Sequence, residues 1–251
     1  MDDLKGKAVL ITGASTGIGA GCARALGALG ARIAVHYHSS ETAALAVADE
    51  VQAAGGEAFV VQGDLRRSAE CERVVKTSAE RLGRIDVLIN NAGALVQRLP
   101  ITEITDALFE DIVDLNARSM LMCIKHAVPF MTSGSSIINL TSIAARHGGG
   151  PGAALYAASK GFVSTATKGL AKELVGRGIR VNAVSPGVVV TPFHDKYSTP
   201  EQLETMRQTI PMGRLGTVDE CVGAFLYLAS EKASGYVTGQ IIEINGGQFM
   251  P

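Results

Sequence analysis

Lys7-Ala-Val-Leu-Ile-Thr12-Gly13-Ala-Ser-Thr-Gly17-Ile-Gly19 joins a short apolar run to a glycine-rich bend, and small and apolar residues continue from Ala20 to Leu29. An unbroken apolar run of this length predicts a strand buried on both faces, as in parallel sheets. The residues beyond the bend predict a helix over 17–29, stopped near Gly30. Glycines permit the tight turn between the two and let the backbone come close to an anion. The helix start adds free N–H groups and the positive end of a dipole. The spacing is Gly-x-x-x-Gly-x-Gly, not the Gly-x-Gly-x-x-Gly of the usual dinucleotide fingerprint. A plain strand–helix turn would use the same residues, but the place of this one, at the first such junction, favours a dinucleotide site.

Outward from this unit the pattern repeats. Strands are expected over 32–37, 58–62, 86–89, 136–141, 179–184 and 240–244. Helices are expected over 41–54, 68–82, 105–131, 155–175 and 218–229, with a short one over 200–208 and a disturbance of the long helix at Pro129. Strand–helix alternation with continuously apolar strands predicts an α/β fold: a seven-stranded parallel sheet flanked by helices on both faces. Neither a linker nor an internal repeat divides residues 1–251, so a single domain is expected. The irregular stretches 94–104, 143–153 and 186–216 follow strand ends, where open α/β sheets bind ligands.

Composition narrows the function. The 251 residues are 47% hydrophobic, enough for one large core, and the net charge of −1 argues against nucleic acid as a partner. No apolar run approaches a membrane span, and the acidic start Met1-Asp-Asp does not read as a signal peptide. Cys22, Cys71, Cys123 and Cys221 are far apart, without Cys-x-x-Cys or metal-ligand spacing. They are expected to be reduced thiols of a cytoplasmic protein, and no metal is expected. The five histidines are scattered, and none is assigned to catalysis. Ser142 lacks the Gly-x-Ser-x-Gly elbow of a hydrolase nucleophile.

Tyr156 and Lys160 stand four apart in Ala154-Leu-Tyr-Ala-Ala-Ser-Lys160, on one face of an expected helix. An ammonium beside a phenol favours the phenolate and brings its proton within reach near neutral pH. Most such pairs are ordinary surface residues; here the pair follows Ser142 at a strand end.

Taken in order, Thr12-Gly-x-x-x-Gly-Ile-Gly19, Asp64-Leu65, Asn90-Asn-Ala-Gly93, Asn116, Thr141-Ser142, Tyr156-x-x-x-Lys160, Asn182, Ser185-Pro-Gly187, Thr191, Thr238-Gly239 and Asn245-Gly-Gly247 resemble the short-chain dehydrogenase/reductase family over nearly the whole chain. The resemblance implies a single-domain Rossmann fold and an NAD(P)(H)-dependent oxidoreductase interconverting a carbonyl and a secondary alcohol. It implies that Gly13, Ser15, Thr16, Gly17, Ile18 and Gly19 hold the pyrophosphate and adenosine ribose. Asp64 would take the adenine amine with Leu65 beside the ring, although Asp64 also suits a cap or turn. Asn91, Ala92 and Gly93 would line the cofactor and brace the sheet. Pro186, Gly187, Val189 and Thr191 would meet the nicotinamide carboxamide. Ser142 would bind the substrate oxygen, Tyr156 would exchange the proton, and Lys160 would acidify Tyr156 and grip the nicotinamide ribose. Asn116 would kink its helix and hold a proton-passing water; a solvated surface Asn is the plainer reading.

Tyr37, His38 and Ser39 stand where NAD-using members of this family carry an acid, which favours NADP(H) over NAD(H), although the arginines of many NADP-using members are missing. The substrate is expected to be a small carbonyl or alcohol compound, 3-oxoacyl-carrier-protein-like or sugar- and polyol-like, under a loop over about 188–216. Arg146 or His147 could attract a polar or acidic one, although loop charges are usually just solvated. The family's habit implies a homotetramer or homodimer. The competing reading is a catalytically silent dinucleotide-binding sensor or scaffold.

Overall fold

The computed structural model describes residues 1–251. In chain order the elements are β1 (Ala8–Ile11), α1 (Gly17–Ala28), β2 (Arg32–Tyr37), α2 (Glu41–Ala53), β3 (Glu57–Gln62), α3 (Ser68–Leu82) and β4 (Val87–Asn90). There follow α4 (Asp106–Val113), α5 (Ser119–Ala127), β5 (Ser136–Leu140), α6 (Ala144–His147), α7 (Ala154–Leu174), β6 (Arg180–Pro186), α8 (Pro192–Tyr197), α9 (Pro200–Gln208), α10 (Val218–Ala229), α11 (Glu231–Ser234) and β7 (Ile241–Ile244). All seven strands pair in parallel, in the order β3-β2-β1-β4-β5-β6-β7.

The side-chain period of a strand explains the two layers. Val9, Ile11, Ile33, Val35, Val87 and Ile89 face one core, shared with Ala23 and Leu26 of α1 and Phe225 and Leu228 of α10. Ala8, Leu10, Ala34, Leu88, Ile137 and Val181 face the other, against Val74 and Val75 of α3, Cys123 and Ile124 of α5, and Val163 of α7. Strands with helices on both faces are mostly apolar, which is why β1 and Val87 to Ile89 of β4 read as unbroken runs.

The chain order reverses between β1 and β4, so their carboxyl ends splay apart into a crevice. Two features of the chain bear on that crevice. The helix expected over 105–131 bends at a π-helical turn, Asp114–Arg118, with Asn116 in it, while Pro129 sits in a terminal 3-10 turn, Val128–Phe130, rather than in a bent α-helix. The expected loop 188–216 holds α8 as well as α9. Its ends are clasped, Val190 N–H to the Gly216 carbonyl and Gly216 N–H to the Val188 carbonyl, both at 2.9 Å. No helix is long and apolar enough to cross a membrane.

Candidate active site

A single cleft of ≈ 1130 Å³ runs along the carboxyl ends of the strands. Small-ligand pockets span roughly 300–1,000 Å³, so this one has room for two molecules side by side.

The glycine bend forms its floor. Gly13 and Gly17 adopt positive φ, +62° and +57°, which excludes most side chains there. The first turn of α1 has neither a side-chain cap nor an acidic residue, leaving its N–H groups to an anion. A Cβ on Gly17 would meet Thr191 at 3.6 Å, across the cleft floor. Small residues, uncapped donors and a helix dipole together fit a dinucleotide pyrophosphate. Gly19 does not line the cleft; a Cβ there would strike Asn91 Nδ2 at 2.5 Å, so it serves the packing of helix on strand.

Thr12 and Asn91 brace the crevice. Thr12 Oγ1 accepts the Asn91 and Ala92 N–H groups, each at 3.0 Å, and Asn91 Nδ2 donates to the carbonyls of Thr12 (2.9 Å) and Gly13 (2.8 Å). Ala92 and Gly93 line the cleft beside them.

The far end, beyond β2 and β3, differs in part from expectation. Tyr37 does not reach the cleft. Strand alternation turns its ring into the core, where it is 7% exposed. His36, unassigned from sequence, faces the bend instead: its Nδ1 accepts the Gly13 N–H. His38 and Ser39 are exposed on the cleft wall. Asp64 is there too, but its carboxylate is held by Arg66 (Nε–Oδ1 3.0 Å, Nη2–Oδ2 2.8 Å), which keeps it below the usual carboxylate range. Arg66 also reaches Asp111 at 3.0 Å. A local Asp-x-Arg spacing was the signal for this clamp.

At the other end Ser142, Tyr156 and Lys160 converge, with Pro186, Gly187, Val189 and Thr191 opposite. Ser142 Oγ is anchored by the Ala144 N–H at 3.1 Å. Behind it, Thr141 Oγ1 donates to the Lys160 carbonyl at 2.9 Å, tying β5 to α7. Lys160 is 3% exposed, and its Nζ donates to the Leu140 carbonyl at 2.8 Å. Burial lowers its pKa to about 8.

Tyr156 departs from the expected electrostatics. Burial raises its pKa to about 12, and only the hydroxyl of Ser142 pulls it back; the ammonium of Lys160 stands 6.0 Å from the ring centroid. The phenol is half-buried and faces the cleft, so cleft solvent moderates the rise. The Phe193 ring, 5.7 Å from that of Tyr156, forms an apolar wall that the sequence did not reveal.

Asn116 is 2% exposed and lies behind the cleft rather than in its wall. Its amide closes a reciprocal pair with Ala94, Nδ2 to the carbonyl at 2.8 Å and Oδ1 from the N–H at 3.1 Å, and Nδ2 also takes the Ile112 carbonyl at 2.9 Å. The π-turn thus brings Asn116 against the loop that follows Gly93. Arg146, one of two residues that could have attracted a polar or acidic substrate, is committed to Glu243 at 2.7 Å.

A family model described as enoyl-(acyl carrier protein) reductase matches residues 13–248. The chain is 39% identical over 256 residues to a 3-oxoacyl-[acyl-carrier-protein] reductase of Synechocystis sp., covering 100% of both. A short-chain dehydrogenase from Burkholderia cenocepacia J2315, solved in complex with NADP, superimposes with a TM-score of 0.92 at 30% identity, over 98% of this chain and 99% of that one.

The chain belongs to the short-chain dehydrogenase/reductase family. It is also similar to NADH-dependent reductase A1-R′, described as responsible for alginate metabolism: 41% identical, TM-score 0.92, 100% of both chains covered. As a member of that family it is an oxidoreductase interconverting a carbonyl and an alcohol with a nicotinamide dinucleotide.

Proposed function

We propose that this short-chain dehydrogenase/reductase works as a carbonyl reductase through Ser142, Tyr156 and Lys160, with NADPH preferred. The observation that carries this reading is the convergence of those three side chains on one cleft with the uncapped, glycine-lined helix start. The nicotinamide supplies the hydride when bound.

The residues divide the remaining work. Ser142 donates a hydrogen bond to the substrate oxygen and Tyr156 gives it the proton. Hydrogen-bond donors aimed at a developing oxyanion are each worth about 3 kcal/mol. A unit charge about 6 Å away, at an effective dielectric near 20, stabilises a phenolate by on the order of 2–3 kcal/mol. Lys160, protonated up to about pH 8, stands 6.0 Å from the Tyr156 ring centroid and would lend this charge as the phenolate forms. Asn116 positions the loop after Gly93 and a proton relay towards Lys160. Gly13, Ser15, Thr16, Gly17 and Ile18 would hold the pyrophosphate side, Asp64 and Leu65 the adenine, and Pro186, Gly187, Val189 and Thr191 the carboxamide.

NADPH preference rests on His38 and Ser39, with Ser40 beside them: β2 itself ends without a carboxylate, the Asp64 carboxylate 4.0 Å from His38 is already paired with Arg66, and two hydroxyls and an imidazole can donate to a 2′-phosphate. The relatives named for 3-oxoacyl-carrier-protein reduction favour a ketone substrate under the 188–216 segment. We read the assembly as a homotetramer or homodimer, with exposed Phe109 and Phe162 as apolar contacts, and the four free, buried cysteines as those of a cytoplasmic chain.

The test is deuteride transfer from 4-deuterated NADPH to a ketone panel, with Tyr156→Phe alongside. Deuterated alcohol from wild type and at least about hundredfold less from the variant is the expected result. Binding of cofactor without any transfer would favour the silent sensor or scaffold.

A further inference from the structure

Arg98 lines the substrate half of the cleft together with Ser142 and Tyr156. Its side chain is half-buried. Nε donates to the Tyr197 carbonyl of α8 at 2.9 Å, and Nη1 donates to the Pro151 carbonyl at 3.2 Å. These contacts join three segments, 95–99, 149–153 and the 188–216 lid. They use two of the five donors of a guanidinium, and neither partner carries a negative charge. Loss of solvation alone perturbs Arg98, with no carboxylate opposing it.

The other charges on the wall do not supply one. Asp64, at the far end, is clamped by Arg66. Glu201, at the start of α9, makes no ion pair with Arg98. Arg146 is paired with Glu243. His194, packed against Phe193, is held neutral by burial and by the charge of Arg98. Lys196 adds a second cation to this end of the cleft. A partly desolvated guanidinium without a counter-ion is costly, and its planar fork matches a carboxylate.

The backbone that presents Arg98 is strained. Val96 has φ +65°, the only non-glycine residue with positive φ, and the Gln97 N–H closes back on the Leu95 carbonyl at 2.8 Å. A β-branched residue in such a γ-turn is an outlier. Strain of this kind persists where surrounding contacts require it and clusters at ligand sites.

We propose that Arg98 binds a carboxylate on the substrate, so that the ketones this enzyme reduces are oxo acids held by their acid end beneath the α8 lid. The proposal rests on the carbonyl-reductase reading and names its substrate class. A clip that merely ties loops would affect charged and neutral ketones alike; recognition of the acid separates them.

The experiment compares 3-oxobutanoate, 4-oxopentanoate and 5-oxohexanoate with their methyl esters, using NADPH and wild type, Arg98→Gln and Arg98→Lys. At least one acid is expected to exceed its ester in kcat/KM by about tenfold or more, the worth of a charge-assisted hydrogen bond. In Arg98→Gln that ratio falls to about one while ester turnover stays within about threefold, and Arg98→Lys recovers part of it. Thermal melting with glutarate and NADP supplies a readout independent of turnover: glutarate raises the midpoint of wild type and not of Arg98→Gln. Esters or a 3-oxoacyl thioester preferred over every acid, or a parallel loss on acids and esters in Arg98→Gln, would overturn the role of Arg98 and leave the reductase reading intact. Absence of turnover on every ketone would count against the reductase reading, and the glutarate arm still decides Arg98.

Discussion

His36 holds the glycine bend through a single ring: its Nδ1 accepts the Gly13 N–H at 2.9 Å while its Nε2 meets the Gly63 carbonyl at 3.1 Å. An acceptor at one nitrogen and a donor at the other require the neutral imidazole. Burial holds its pKa at about 4 against an ordinary 6.5. Between those values the unfolded chain binds a proton that the folded chain does not. Stability therefore rises with pH through that window and is lost as pH falls from 6.5 towards 4. The predicted loss is on the order of 3 kcal/mol, read from urea unfolding at stepped pH. An equal loss in His36→Gln would assign it to other groups.

Lys160 sets a second pH limit. Its pKa of about 8 means that the free enzyme loses this charge in mildly alkaline solution. The phenolate of Tyr156 then loses its counter-charge, and kcat/KM for reduction is expected to fall above about pH 8. Since kcat/KM reports groups of the free enzyme, a profile flat to pH 10 would remove Lys160 from this role.

Gly93 has no room for a methyl group. A Cβ there would lie 2.6 Å from Asn116 Oδ1 and 3.0 Å from Lys160 Nζ. Gly93→Ala is predicted to lower stability by about 1–3 kcal/mol and activity by a much larger factor, because both displaced groups belong to the proposed reaction centre. Thermal melts and steady-state rates on the same preparation compare the two, and full activity in a normally folded variant would contradict the assignment.

The Arg146–Glu243 pair is mostly buried, with side chains 21% and 9% exposed. Removing one partner leaves the other charge uncompensated. Glu243→Gln is predicted to cost about 3 kcal/mol, seen as a lower urea midpoint with an unchanged slope.

A carboxylate at the end of β2 should reverse cofactor choice. His38→Asp places negative charge where the 2′-phosphate is expected, so the NADPH dissociation constant should rise at least about tenfold, with that for NADH unchanged or lower. Tighter NADH binding by the wild-type protein would already overturn the preference.

The parallel sheet and its helices were legible because strands buried on both faces are predominantly apolar, as β1 is throughout and β4 is from Val87 to Ile89. The glycine bend was legible for the same local reason: Gly13 and Gly17 take backbone angles that other residues resist. The bend of the long helix was not. Asp114 to Arg118 carries no proline, and only family resemblance pointed to Asn116, whose amide is satisfied by Ala94, 22 residues away. Tyr37 was misplaced because the end of β2 can be read in either of two facings, and packing against the α1 side chose the core for it.

Local chemistry alone, written in consecutive residues, settled the alternation of strands and helices, the anion-ready bend at Gly13–Gly19 and the Tyr156–Lys160 spacing on one helix face. Folding in three dimensions decided what those groups touch: Lys160 on the Leu140 carbonyl, His36 on the bend, Phe193 against Tyr156, and Arg98 joined to Pro151 and Tyr197. Those contacts join residues up to 99 positions apart. No local preference encodes such a meeting; it follows from which strand ends the sheet order brings side by side.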